Sequence, residues 1–216
     1  RIPRTLRHEL SNPMSAIQTS LELLSDEQDP EQQARLRAPA ERGIQKLEST
    51  LAKVTEAASL EEALRDEDQH RFNVARITRD AVASIERTVS DRTWVTEISD
   101  ETIVILGNDL RFEQMLDKLL DNACDFTPEG GVITVGLSDQ INSVSLWVEN
   151  EGSSLQVQDR VDAFQMFSGT RNDSTGSHLG LGLYVVRLIA ESMGGQVAIG
   201  NTERGVRVEV TGLRVP

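Results

Sequence analysis

Two apolar stripes, separated by a short polar break, leave the first 66 residues few folds to choose from. Leu6, Leu10, Met14, Ile17, Leu21 and Leu24 recur at spacings of 4, 4, 3, 4 and 3. That is the period of one helical face. Ser25 to Pro30 (SDEQDP) interrupts it, with Asp29 suited to cap a new helix and Pro30 to its first position. A second stripe follows: Leu36, Ala40, Ile44, Leu47, Leu51, Val54 and Ala58. Pro13 and Pro39 should bend their helices, since each lacks an N–H. Two such helices cannot cover their seams alone. A second copy would complete a four-helix bundle, so a homodimer through the hairpin is expected.

Beyond the acidic stretch Glu61 to Gln69, which reads as a linker, the pattern changes. Helices are expected over 74–89, from Asn108 or Asp109 to about Phe126, and over 181–193. Strands are expected over 93–99, 103–106, 132–137, 143–150, 196–200 and 206–211. Residues 168–180, rich in Gly, Ser, Thr and Asn, read as a mobile loop. Gly194-Gly195 ends the last helix. The fold class is therefore α+β. An antiparallel helical hairpin (1–66) precedes an α/β sandwich with helices on one face of a sheet (67–216).

Charge narrows function. The net charge of -13 argues against nucleic acid as a partner, because phosphate contacts need Lys and Arg. Cys124 is the single cysteine, so no internal disulfide forms and a reducing, cytoplasmic compartment fits. No apolar run approaches a membrane span, so no direct membrane contact is expected. The chain starts at Arg1 without Met, directly upstream of a motif, which suggests a piece of a longer protein.

Four constellations carry chemistry. In Leu6-Arg7-His8-Glu9-Leu10-Ser11-Asn12-Pro13, His8 lies about 200° round the helix from Leu6, away from the stripe. Asn12 sits one turn on, and Pro13 removes the bond to the Glu9 carbonyl. A neutral imidazole can attack phosphorus while a carboxylate takes or orients its other ring proton. An isolated His-Glu pair is ordinarily a solvated surface histidine; the bent helix and the downstream motifs weigh the other way. In QMLDKLLDNACDF (114–126), Leu116, Leu119, Leu120 and Ala123 form the buried face. Lys118, Asn122 and Asp125 share another face. The Asn122 amide oxygen suits Mg2+, although a plain polar face would look the same. In Val144, Leu146, Val148 and Asn150 the period of two brings Asn150 out on the inward face just before Gly152. It could read an adenine edge there, or merely end a strand. In His178-Leu179-Gly180-Leu181-Gly182-Leu183, glycines at a helix start admit phosphate to backbone N–H groups. A tight turn is the commoner meaning of such glycines. Arg171 in the preceding loop could reach phosphate or stay solvated.

In order and spacing the set resembles the sensor histidine kinases of two-component systems, across essentially the whole chain. His8-Glu9-Leu10-x-Asn12-Pro13 is similar to the H box and Asp121-Asn122-Ala123 to the N box. Val148-x-Asn150-x-Gly152 takes the G1 place, Phe164 to Phe167 the F box and Gly180-Leu181-Gly182-Leu183 the G2 box. The resemblance implies a dimerisation and phosphotransfer hairpin followed by a gyrase-type ATP-binding domain. It implies ATP and Mg2+ as cofactors and a response regulator as partner. It places His8, Glu9 and Asn12 in catalysis, and Lys118, Asn122, Asn150, Gly152, Arg171, Gly180, Leu181, Gly182 and Leu183 around the nucleotide. More narrowly, HELSNP and HLGLGLYVVRLIAE resemble kinases of proteobacterial dedicated sortase systems.

This chain departs from the family pattern at several positions. Asn150 stands where the family has Asp, which removes charge assistance toward adenine. Ser153-Ser154 replaces Pro-Gly. Lys118 stands where the N box has Asn, and Asp125 where it has a basic residue. The positive charge has moved along one helix face. An autokinase is the leading expectation. A weakly catalytic scaffold that binds and dephosphorylates a regulator is the alternative, favoured by Asn150 and Lys118. A serine-directed kinase with the same ATP fold is disfavoured by the His8 hairpin.

Overall fold

The structure is a computed structural model that describes residues 4–98, 102–140, 142–165 and 181–216. It separates into two compact units. The first is the hairpin through Ser59, and the second comprises Leu60–Gln165 and Gly182–Pro216.

The hairpin consists of α1 (Arg4–Asp26) and α2 (Pro30–Ala63), each running on through its internal proline. Asp29 caps α2 as its sequence position predicts: its Oδ1 accepts from the Glu31 N–H at 3.0 Å. The buried positions coincide only in part with the apolar stripes. Pro13 and Ser20 are buried on α1; Ala40, Gly43, Thr50 and Ala57 are buried on α2. A Cβ on Gly43 would stand 2.8 Å from the Ile17 side chain and 3.0 Å from the Pro13 carbonyl oxygen. Small residues thus let the two helices approach closely. Four large apolar side chains of the stripes are left over. Met14, Leu21, Ile44 and Leu51 are exposed, Leu51 by 67%. An apolar row this open marks an interaction surface rather than a monomer's finished exterior.

In the second unit, β2 (Thr93–Ile98), β4 (Val132–Gln140), β5 (Ser143–Glu151), β7 (Gly205–Arg214) and β6 (Gln196–Asn201) form one sheet in that spatial order. β2 and β4 are parallel; the other neighbours are antiparallel. β1 (His70–Asn73) and β3 (Val104–Gly107) form a separate two-stranded sheet. Helices α3 (Val74–Thr88), α4 (Asp109–Phe126) and α6 (Gly182–Ser192) cover the large sheet, and a short α5 (Val157–Asp162) follows β5. Phe112, Met115, Leu116, Leu119 and Leu120 make α4 the centre of the core. Full burial of such a side chain contributes about 1.5–3 kcal/mol. Asn73 and Asn108 cap α3 and α4, each accepting a backbone N–H three residues on.

The acidic stretch Glu61 to Gln69 is partly helical and packed against the core of the second unit. α2 continues to Ala63, Leu60 lies in the core of the second unit with Leu64 against it, and β1 begins at His70. Carboxylates on the solvent side mask an apolar pair on the other.

Candidate functional site

The predicted nucleotide residues that the structure describes lie on or beside three elements that pack around α4: α4 itself, the end of β5, and the start of α6. On α4 the inward set Leu116, Leu119, Leu120 and Ala123 is buried, which leaves Lys118 and Asn122 half-buried and Asp125 exposed on the adjoining face. Lys118 takes part in no ion pair among the described residues, with Glu113, Asp121 or any other carboxylate. Asp117, one residue earlier, has its pKa raised, first by burial and next by Asp121, while Lys118 opposes that shift. Cys124 is a half-buried thiol pushed upward by burial, then by Asp121 and Asp125, so it offers no thiolate at neutral pH.

Asn150 is buried at the end of β5, between Ile133 of β4 and Val206 of β7. Among the described residues its Nδ2 donates one long bond, 3.5 Å, to the Glu151 carbonyl. Two residues on, Gly152 adopts φ 155°. A Cβ there would stand 2.7 Å from the Phe126 carbonyl oxygen. Glycine is thus required for the loop after β5 to close against the C-terminal end of α4. That contact holds the strand of Asn150 beside the helix of Asn122.

Gly182 opens α6. Among the described residues a Cβ at this position would meet nothing within 4 Å, and the backbone is not in the left-handed region. Neither packing nor conformation demands glycine there, so the space it leaves suits a ligand approaching the helix N-terminus. Leu181 is buried and Leu183 half-buried against the core. Among the described residues no group of three or more His, Cys, Asp or Glu side chains could hold a metal. A Mg2+ held by the Asn122 amide oxygen would take its other ligands from phosphate and water, as Mg2+ ordinarily does.

Several expected residues lie beyond this geometry. His8 and Glu9 have their backbone in α1, but their side chains lie outside the described residues, as do Met166, Phe167, Arg171, His178 and Gly180 entirely. Asn12 is exposed one turn beyond His8, and Pro13 behind it is buried. A groove of about 400 Å³ between α3 and α4 is lined by Asp80, Glu113, Asp117 and Asp121, on a different face of α4 from Asn122. None of the predicted nucleotide residues lines it.

Residues 4–63 match the model of the His Kinase A (phospho-acceptor) domain. Residues 107–215 match that of the histidine kinase-, DNA gyrase B- and HSP90-like ATPases. Among curated relatives, the sensor protein kinase PmrB of Pseudomonas aeruginosa is 24% identical over 97% of this chain and 44% of its own length. The sensor protein ChvG of Rhizobium meliloti is 27% identical over 90% of this chain and 36% of its own. The chain thus spans less than half the length of these relatives. Among solved structures, histidine kinase ThkA in complex with response regulator protein TrrA covers 98% of this chain and 60% of its own, at TM-score 0.71 and 21% identity. The Acinetobacter baumannii histidine kinase AdeS covers 96% and 98%, at TM-score 0.65 and 19% identity. The narrower likeness to sortase-system kinases is not supported by these matches. Among the described residues no helix is long and apolar enough to cross a membrane.

Proposed function

Because this chain belongs to the histidine kinases of two-component systems, we propose that it autophosphorylates His8 with Mg-ATP and passes the phosphoryl group to a response-regulator aspartate. The observation that carries the reading is the union, in one chain, of a match to the phospho-acceptor domain and a match to the ATPase family, with Asn150 buried at the end of β5. In this reading residues 1–66 are the dimerisation and phosphotransfer part and 67–216 bind ATP.

A neutral His8 ring nitrogen attacks the γ-phosphorus in line. An N–P bond forms, the bond from phosphorus to the bridging oxygen breaks, and ADP leaves. Glu9 takes or orients the proton on the other ring nitrogen. Asn122 would hold Mg2+, which when bound neutralises phosphate charge. Asn150 accepts from the adenine amino group. Gly180 and Gly182, with Leu181 and Leu183, would let phosphate meet the N-terminus of α6, and Lys118 and Arg171 would supply positive charge. Gly152 shapes the adenine end. The reaction places the chain where ATP is held, on the cytoplasmic side, as part of a membrane-anchored sensor. Incubation with labelled Mg-ATP tests the function: acid-labile, alkali-stable label appears on the chain and moves to a cognate regulator. A chain that binds regulator and strips its phosphate without labelling itself would instead be the weakly catalytic scaffold, toward which Asn150 and Lys118 lean.

The open apolar row on the hairpin is filled by a second copy, which completes four helices. Light scattering at micromolar concentration should give a dimer. Leu51→Asp sets a charge into that row and should raise the dimer dissociation constant at least about tenfold, the scale of an uncompensated charge moved to an apolar site. A monomeric parent chain would contradict the dimer.

Asn12, exposed one turn from His8, serves the reverse reaction by orienting water toward the regulator's phospho-aspartate. Asn12→Ala should leave self-labelling within about twofold and slow regulator dephosphorylation at least about tenfold, within the usual worth of a positioned polar group. Equal loss of both activities would make Asn12 structural.

A further inference from the structure

The segment between the hairpin and β1 touches both helices assigned to the nucleotide site. Glu61 Oε2 accepts from the Tyr184 hydroxyl at 3.4 Å, two residues into α6. The Arg187 guanidinium stacks on that ring at 5.1 Å. Gln69 Nε2 donates to the Ser192 carbonyl at 3.1 Å, on the last residue of α6. Glu67 reaches α4 instead: Arg111 Nε donates to its Oε1 at 2.6 Å, and Nη2 joins the same oxygen. Arg111 Nη1 donates to Gln114 at 3.0 Å, and its backbone N–H is held by the Asn108 cap. Leu60 is in the core and Leu64 packs against it. So α6 is held near both ends and α4 in its first turn, all by ten consecutive residues.

The contacts are more than surface pairing. The Glu67–Arg111 pair is largely shielded from solvent, with Glu67 21% and Arg111 28% exposed. Glu67 Oε2 is buried with no partner among the described residues. A carboxylate in that state depends on its one cation. The guanidinium is correspondingly held in its charged form, first by its bond to Glu67 and against the cost of burial.

We propose that residues 60–69 are a clasp that fixes α4 against α6, with Glu67 and Arg111 as positioning residues that set the span between Asn122 and Gly182. The clasp rests on the proposed function for the identity of the site it spans. None of its side chains touches nucleotide in that reading. Its effect is on placement, and it gives the helix entering from the hairpin a direct hold on both walls of the ATP site.

Two measurements on the whole chain test it. Hydrogen exchange compares Glu67→Ala with the parent: amides of α4 and α6 should exchange faster while β6 and β7 stay unchanged. Autophosphorylation kinetics should then show the Mg-ATP KM raised about fivefold or more with kcat within about twofold, within the range for residues that couple sites without touching ligand. Tyr184→Phe should loosen only the first turn of α6. Glu67→Gln, which keeps an acceptor for the guanidinium, should move both readouts the same way by less, and it decides the matter if Glu67→Ala does not fold. Unchanged exchange in α4 overturns the clasp, and so does faster exchange with KM unmoved. If the parent chain takes no phosphate from Mg-ATP, the proposed function fails instead, and exchange alone judges whether residues 60–69 hold the two helices.

Discussion

Replacing His8 with glutamine should abolish acid-labile phosphate on the chain while leaving Mg-ATP binding intact. Three histidines are present: His8, His70 and His178. His70 opens β1, where its Nε2 lies 3.3 Å from Asp109 at the start of α4. His70 thus has a carboxylate partner in Asp109; what it lacks is a helix with an amide one turn on and a proline next to it. His178 belongs to the glycine-rich stretch before α6 and has no neighbouring carboxylate in sequence. Only His8 is followed by a glutamate and, at helical spacing, by an exposed amide and a buried proline. Glutamine keeps the length and polarity of the side chain and removes the nucleophile. A phosphorus nucleophile cannot be replaced by its neighbours, so labelling should fall at least about a hundredfold, the usual scale for a positioned reacting group. Glu9→Gln should reduce the rate without moving the label. Label persisting in His8→Gln would remove the assignment.

Much of this fold can be read from the chain. The 3.6-residue spacing of Phe112, Met115, Leu116, Leu119 and Ala123 marks α4 and, by subtraction, puts Lys118 and Asn122 on an accessible face. Alternation in Val144, Leu146, Val148 and Asn150 brings Asn150 to the inward side of β5, and it is buried there. Local spacing is blind to other features. β1 is four residues long, HRFN, and is a strand only because β3 pairs with it. In the hairpin Gly43 faces Ile17 and Pro13 while the neighbouring stripe residues Ile44 and Leu51 stay exposed, because close helix approach selects for smallness. The pairs Glu67–Arg111 and Glu61–Tyr184 span 44 and 123 positions, which no local pattern connects.

The nucleotide pocket carries the second large effect, and its sign turns on two substitutions. Lys118→Ala should weaken Mg-ATP binding by roughly 1.5–3 kcal/mol, the worth of a hydrogen bond to a charged group, or about ten- to a hundredfold and more in Kd. Lys118 shares its face with Asn122, is half-buried, and takes part in no ion pair among the described residues. Asp117 feels the charge of Lys118 without forming an ion pair, so the half-buried ammonium keeps hydrogen-bonding capacity for phosphate. The site also needs it, since the same face ends in Asp125. Were Lys118 only a surface cation, its removal would change calorimetric affinity by little, because exposed pairs contribute about 0–1 kcal/mol. Asn150→Asp should act in the opposite direction. The Asn150 side chain is buried and its Nδ2 makes one long bond to a carbonyl, so aspartate sacrifices little hydrogen bonding in the free chain. It also places a carboxylate where burial disfavours charge and raises its pKa. The free chain should lose thermal stability. Adenine then provides the amino donor that a carboxylate lacks, and a charge-assisted bond is roughly twice as strong as a neutral one. Calorimetry should therefore show ATP binding about fivefold tighter at neutral pH, and the gain should fade as acidity protonates the new carboxyl. A weaker Asn150→Asp chain would mean that the pocket is built around an amide, with the Nδ2 donor facing a ring nitrogen instead of the Oδ1 acceptor facing the amino group.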